Sequence, residues 1–378
     1  MSGVTAVARR ELQRLRGLPV LWSLLGPIPA VMTLLIVGVF ATEVVRDLPV
    51  AVLDLDRSAT SRVATRWLAA TRGVQVSGHV EDLGAARSVV LERQAYGVFV
   101  VPRHFERDLL RGRSPHVSFL YNEEYLTAGG NISADVSRGA TSAAAQLTAL
   151  SGREPAPIRV DFHTLFNPAA SYAQALGFLL ITALLHVVIA LATIYAVGRE
   201  LADETAPEWL EAAQGSTVAA WLGKLGPYTL AHCVLVAALL GGYAVWYGIP
   251  VRGPAWLLIV ATAAFVLATQ AFALLIIART ADLRRATSLG ALIFGPAAAF
   301  SGVTFPLTAM PVGVRIWALT LPLTHGMALV RAGITVGAPE AAGRQLLALA
   351  LTFAVALGLA LPRLPVLLRD PKYWGERS

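Results

Sequence analysis

Six apolar runs in this chain contain no Asp, Glu, Lys or Arg, and they fall one plus five: 20–41, then 172–197, 226–247, 255–278, 286–305 and 345–361. They are 22, 26, 22, 24, 20 and 17 residues long. A helix needs about 20 apolar residues to cross the hydrocarbon core, and backbone in lipid must satisfy its own polar groups, so each run reads as a transmembrane helix. The last is short, but 362–368 is mostly apolar and extends it past Arg363, whose side chain can snorkel. The expected fold is an α-helical polytopic membrane protein with six transmembrane helices and an α/β extracytoplasmic domain inserted between helices one and two.

Orientation follows from Lys and Arg near the span ends. Arg9, Arg10, Arg14 and Arg16 precede the first run; Arg279, Arg284 and Arg285 lie between the fourth and fifth; Arg363, Arg369, Lys372 and Arg377 lie at the end. With six crossings these regions share one side, expected to be cytoplasmic. The net charge of +7 does not point to nucleic acid: residues 42–167 carry 14 basic and 14 acidic residues, so the excess is juxtamembrane and suits anionic membrane lipid. The first run is longer than a signal-peptide core and is expected to stay as an anchor. The single cysteine, Cys233, lies in an apolar run, so the inserted domain must hold together without a disulfide.

That domain alternates β-type runs at 49–54, 73–80, 95–102 and 116–123 with helix-like segments, which implies an α/β layer structure. A long helix is expected over 125–151, and a Pro-punctuated link with an edge strand at Arg159–Phe162 follows. Asp54 ends a strand, and Asp56-Arg57-Ser58 reads as a turn and helix cap rather than as catalytic carboxylates. The full division is 1–19 cytoplasmic segment, 20–41 first helix, 42–170 inserted domain, 171–368 five-helix domain and 369–378 cytoplasmic tail.

Two inter-helix segments stand out. In the first, about 203–222, Thr205 reads as a cap, Pro207 as a first-turn residue and Glu208 as the acid three residues on. Trp209, Leu210 and Ala213 give an apolar side that Val218, Trp221, Leu222 and Leu225 continue. An acidic amphipathic helix on the cytoplasmic surface is expected. In the second, about 303–333, Pro306, Pro311 and Pro322 break an apolar stretch into pieces too short to cross, which suggests an outer re-entrant or interfacial hairpin.

No phosphate-binding loop is present: the chain has only two lysines, Lys224 and Lys372, and neither precedes Ser or Thr. No metalloprotease or nucleophile-elbow motif occurs, and His79, His104, His116 and His163 are scattered, so no metal, cofactor or catalytic site is expected in the chain. Inside the spans the polar residues are Gln174, His186, His232 and Gln270, which read as interhelical hydrogen-bonding groups. Spans without acidic or basic residues lack the usual relays of ion-coupled transport, so any driving energy is expected from a partner.

Several stretches carry a family resemblance. DLPVAVLDLDRSATSR (47–62), YNEEYLTAGGNIS (121–133), GRELADETAPEWLEAAQGSTVAAWLGKLGPY (198–228), FSGVTFPLTAMP (300–311) and LPLTHGMALVRAG (321–333) resemble, in that order, segments of type-2 ABC exporter permeases. Ala206-Pro207 depart from that pattern, which has Gly-Thr there. The resemblance implies a permease subunit that exports a drug-like, lipid or polymer substrate. It implies separate cytoplasmic ATPase subunits that bind ATP and magnesium, a second permease copy or paralogue, and a periplasmic adaptor protein. By position, Arg199, Glu200, Glu204, Thr205, Glu208, Trp209 and Leu210 would couple to the ATPase. Phe305, Pro306, Met310, Pro311, Pro322 and His325 would form the outer hairpin. The implied location is the bacterial inner membrane, with both termini cytoplasmic. A membrane-anchored receptor or scaffold without transport, or an ion-coupled secondary exporter, stays open on the residues alone.

Overall fold

A computed structural model describes residues 2–41, 48–70, 74–91, 94–95, 97–111, 113, 117–121, 173–249, 251, 253–330 and 339–375. The chain divides into two compact units, one of residues 1–41 and 172–378 and one of residues 42–171.

The second unit is a four-stranded sheet of β1 (Leu48–Asp54), β2 (Val74–His79), β3 (Gly97–Val101) and β4 (Ser118–Tyr121), in the order β2-β1-β3-β4. β1 is parallel to β2 and β3, with Ala51 opposite Val98, and β4 is antiparallel to β3. The period of two along β1 feeds both faces. Val50 and Val52 pack with Ala64 and Leu68 of α4 (Ala59–Ala69) and Phe105 of α6 (Phe105–Leu110), while Ala51 and Leu53 pack with Ala86 of α5 (Leu83–Leu91). Sheets covered on both faces suit parallel strands.

Asp54 and Asp56 have turn-building roles. Asp54 accepts the backbone N–H of Asp56 at 3.0 Å and of Arg57 at 2.9 Å, and the Ser61 hydroxyl at 2.6 Å. Asp56 accepts the Glu106 N–H at 3.0 Å and caps α6, a helix not expected from the sequence. Burial works against the Asp56 charge, but the Glu106 amide and the Ser58 hydroxyl outweigh it and hold its carboxyl below the usual Asp range. The helix expected over 125–151 and the strand at Arg159–Phe162 lie outside the described residues.

The first unit is helical. It contains α1 (Ser2–Leu15), α2 (Pro19–Leu25), α3 (Pro27–Val39), α7 (Phe178–Ala202), α8 (Ala206–Ala212), α9 (Thr217–Trp246), α10 (Ala255–Thr280), α11 (Leu283–Phe294), α12 (Ala297–Phe300), α13 (Val312–Thr320), α14 (Pro322–Val330), α15 (Pro339–Ala360) and α16 (Leu364–Arg369). Among the described residues five stretches are long and apolar enough to cross a membrane: Pro19–Val39, Phe178–Ala202, Thr217–Trp246, Ala255–Thr280 and Ala342–Arg369. The expected sixth, 286–305, is not one helix. Pro296 lacks an N–H, and α11 stops at Phe294 after 12 residues, about 18 Å. Only the four-residue α12 follows.

α7 is the buried centre of this unit and packs on α10 and α11. Glycines set its approach to α11: an added Cβ at Gly198 would lie 2.7 Å from Leu283, and one at Gly290 would lie 2.7 Å from Ile194. Small residues at crossing points are how membrane helices come close.

Candidate functional site

α1 presents Val4, Val7 and Glu11 at helical spacing, and Val7 and Glu11 are fully buried against the start of α9. The contact is tight at Gly223 of α9, where a Cβ would stand 2.6 Å from both the Val4 carbonyl oxygen and Val7 Cβ. Gly223→Ala is therefore expected to push α1 off α9 and to cost about 1–3 kcal/mol. A thermal melt matching the parent would refute this close packing.

Beyond the end of α7 the chain reverses through Asp203 and Glu204, whose φ of 60° is left-handed, into the seven-residue α8. A second turn at Gln214 and Gly215, with φ of 56° and 76°, leads into α9. The Ser216 side chain caps α9 by accepting the Ala219 N–H at 3.2 Å.

Glu200 is the hub of this region and is 0% exposed. Arg10 donates to its Oε1 at 2.7 Å and its Oε2 at 3.2 Å, and Lys224 Nζ donates to Oε1 at 2.8 Å. Arg14 pairs with the same carboxylate, and the Thr205 hydroxyl donates to it. Lys224, 1% exposed, also donates to Glu11 Oε2 at 2.5 Å, and Tyr228 donates to Glu11 Oε1 at 2.7 Å. Two buried carboxylates are thus balanced by three cations, with Glu208 and Asp203 at the rim. Arg10 reaches Glu208 at 3.3 Å, and Arg14 reaches Asp203 at 3.4 Å. Burial opposes the charge on Arg10, but its bonds to Glu200 and Glu208 outweigh that and raise its pKa. The network ties α1, α7 and α9 together and reaches the threshold of α8.

α8 is anchored by Trp209, which is 1% exposed. Its indole N–H donates to the Ala220 carbonyl at 3.1 Å, and the Lys224 ammonium lies 5.0 Å from the centre of its ring. Glu204, Glu208 and Glu211 are exposed. Arg199 pairs with Asp203 at 2.5 Å and faces the Tyr195 ring, and Leu210 is half-buried.

Three expectations are corrected here. The surface helix expected over 203–222 ends at Ala212, because the left-handed turn at Gln214 and Gly215 breaks it; Val218, Trp221 and Leu222 belong to α9. Thr205 stands at the cap position but makes no side-chain cap bond, since its hydroxyl is taken by Glu200 and Arg14, the latter donating at 2.9 Å. Glu200 and Trp209 are buried inside the chain and present no side-chain surface to a partner. The role of α1 was not read from the sequence, although Val4, Val7 and Glu11 at spacings of three and four carried the signal.

His186 is fully buried, its ring centre 4.9 Å from that of Phe294 and 5.8 Å from that of Phe265. Among the described residues neither ring nitrogen of His186 has a hydrogen-bond partner, and buried His232 faces the Tyr228 backbone one turn back in its own helix, so the interhelical bonds expected there are not made; for His186, aromatic rings take the neighbouring positions. Gln270 does bond between helices, accepting from the Thr229 hydroxyl at 2.6 Å. Gln174 falls in a π-helical turn at Ala173–Gly177.

The expected hairpin residues fall on a 3₁₀ turn (Leu307–Ala309), α13 and α14. Pro306 and Pro311 stand at the starts of the first two, and Pro322 opens α14. Met310 is buried and Phe305 exposed. His325 joins three pieces: Nε2 lies 2.9 Å from the Leu319 carbonyl and Nδ1 lies 2.8 Å from Gln345 Oε1. Residues 331–333 lie outside the described residues.

The family model of the ABC-2 family transporter protein matches residues 19–361. The chain belongs to this family. It is a type-2 ABC permease, the membrane subunit of an ABC transporter rather than its ATPase, and such permeases normally work with a cytoplasmic ATPase. No curated protein matches the permease. The match begins at Pro19, so α1, which supplies Arg10, Glu11 and Arg14 to the charged network, stands just before the matched segment.

Proposed function

We propose that this permease is half of an ATP-driven exporter and that α8 is where the ATPase pushes. In this reading ATP and magnesium bind to the partner subunits, and a second permease copy or paralogue completes the path. The substrate is a drug-like, lipid or polymer molecule moved out of the cytoplasm or the inner leaflet. The Arg-rich segments argue for cytoplasmic termini in a bacterial inner membrane. That arrangement requires α11 and α12 to cross together despite the break between them. It also places residues 42–170 outside, where a periplasmic adaptor would dock, and makes the α13–α14 pair an outer hairpin.

The observation that carries this reading is the division of labour around α8. Its inward residue, Trp209, is locked to α9, while Glu208 on its outward side has a side chain 69% exposed. A force on the outward carboxylates is passed through Trp209 and the Glu200–Lys224 pair into α7 and α9. A surface so acidic is repelled by anionic lipid, so a protein with a basic cleft is the better partner.

The test is to replace Glu204 and Glu208 together with Lys. Both side chains are exposed, so the fold is expected to survive. Reversing two charges at an interface is expected to weaken ATPase binding at least about tenfold and to abolish export. Unchanged binding and unchanged transport would remove α8 as the contact.

A further inference from the structure

One side of α9 carries the charged network; another borders two cavities. The first, about 340 Å³, is lined by Trp221, Leu225, Thr229 and Cys233 of α9, Gln270 of α10 and Phe353 of α15. The second, also about 340 Å³, is lined by Cys233, Ala237 and Gly241 of α9, Thr182 of α7, Phe265 of α10 and Leu329 of α14. Cys233 is a wall of both. Among the described residues neither lining contains an Asp, Glu, Lys or Arg. Leu222 and Leu230 at the first and Val234 and Ile259 at the second are exposed, so both cavities open onto the apolar outside of the bundle.

The walls hold polar atoms that have no hydrogen-bond partner among the described residues. Gln270 is 3% exposed, and its amide Nε2 has no partner. The Trp221 Nε1 is buried without a partner, as is the hydroxyl of Thr182. Buried donors are normally paired, and leaving them unpaired is destabilising. Two N–H donors in a largely apolar lining ask for an oxygen acceptor, and the described lining residues, none of them charged, give no counter-ion to a charged guest. Hydrocarbon alone would fill the volume and leave both donors unpaired. The glycines on these walls keep space open: a Cβ at Gly226 or Gly241 would meet no atom within 4 Å.

We infer that the two cavities form one binding track for an uncharged, largely apolar molecule bearing carbonyl, ester or ether oxygens, which accept from Trp221 and Gln270. That this molecule is cargo rests on the exporter reading; that it binds does not.

The test uses the full chain in phosphatidylcholine nanodiscs with a monoacylglycerol carrying a diazirine in its chain. Photo-adducts are expected to concentrate on peptides covering 221–241 and 258–270. Unlabelled monoolein should compete them away, and hexadecane should not. Trp221→Phe and Gln270→Leu, each removing one donor, should lower the yield about five- to tenfold. Gly241→Leu projects into open space and improves helix propensity, so a loss of adducts there reports a filled track rather than a misfolded chain. Adducts spread evenly over the exposed faces of α9 and α15, equal competition by hexadecane, or equal labelling of the same peptides by a diazirine phosphatidylcholine would each overturn the inference. Site-specific adducts without ATP-driven export would sink the exporter reading and leave the site standing; export with scattered adducts would do the reverse.

Discussion

Glu200→Ala is expected to destabilise the permease by about 3–5 kcal/mol, the usual cost of stripping one partner from a buried ion pair. The substitution leaves Lys224, 1% exposed, with only Glu11, and sets the Arg10 and Arg14 guanidiniums near it without the carboxylate that all three share. Thermal melting in nanodiscs reads the loss directly. Removing charges in matched sets separates pairing from packing: Glu11→Leu with Lys224→Met should cost less than Lys224→Met alone, because the single change leaves Glu11 buried and short of its cation. Equal melting of Glu200→Ala and the parent would show that this cluster does not hold the helices together.

Trp209→Ala is the second large effect, but of a different kind. Truncating a buried Trp costs about 3–5 kcal/mol, and here the indole N–H bond to Ala220 and the ammonium–ring contact with Lys224 go with it. A helix of seven residues has little stability of its own. The expectation is local release, with fast hydrogen exchange over 206–212 while α7 and α9 stay protected. Trp209→Phe keeps most of the apolar contact and loses only the N–H bond, worth about 1 kcal/mol. If α8 stays protected in the alanine variant, its attachment lies elsewhere.

The spans were legible because helices of soluble proteins rarely run for about 20 residues without a charge, whereas the hydrocarbon core demands it. The break in 286–305 was legible too, since Gly295-Pro296 lies in its middle, but run length outweighed it. The sheet was readable from four β-branched runs between helix-like segments. What stayed hidden depended on distance along the chain. Arg10 and Glu200 are 190 residues apart, and Lys224 and Glu11 are 213 apart. Local pattern assigns Arg10 and Arg14 to orientation and Thr205 to capping; tertiary contacts give the two arginines a buried carboxylate and take the Thr205 hydroxyl away from the cap. Nothing in the spacing of the carboxylates separates buried Glu200 from exposed Glu208 until α1 is in place.

The position of the charged network along α9 has a mechanical side. Lys224 lies seven residues, about 10 Å, from Thr217 and 22 residues, about 33 Å, from Trp246. A helix pivoting at that point has a short arm beside α8 and a long arm beyond it, in a ratio of about one to three. A shift of about 1 Å near α8 would become about 3 Å at the far end, enough to widen or close a gap between side chains without unwinding any turn.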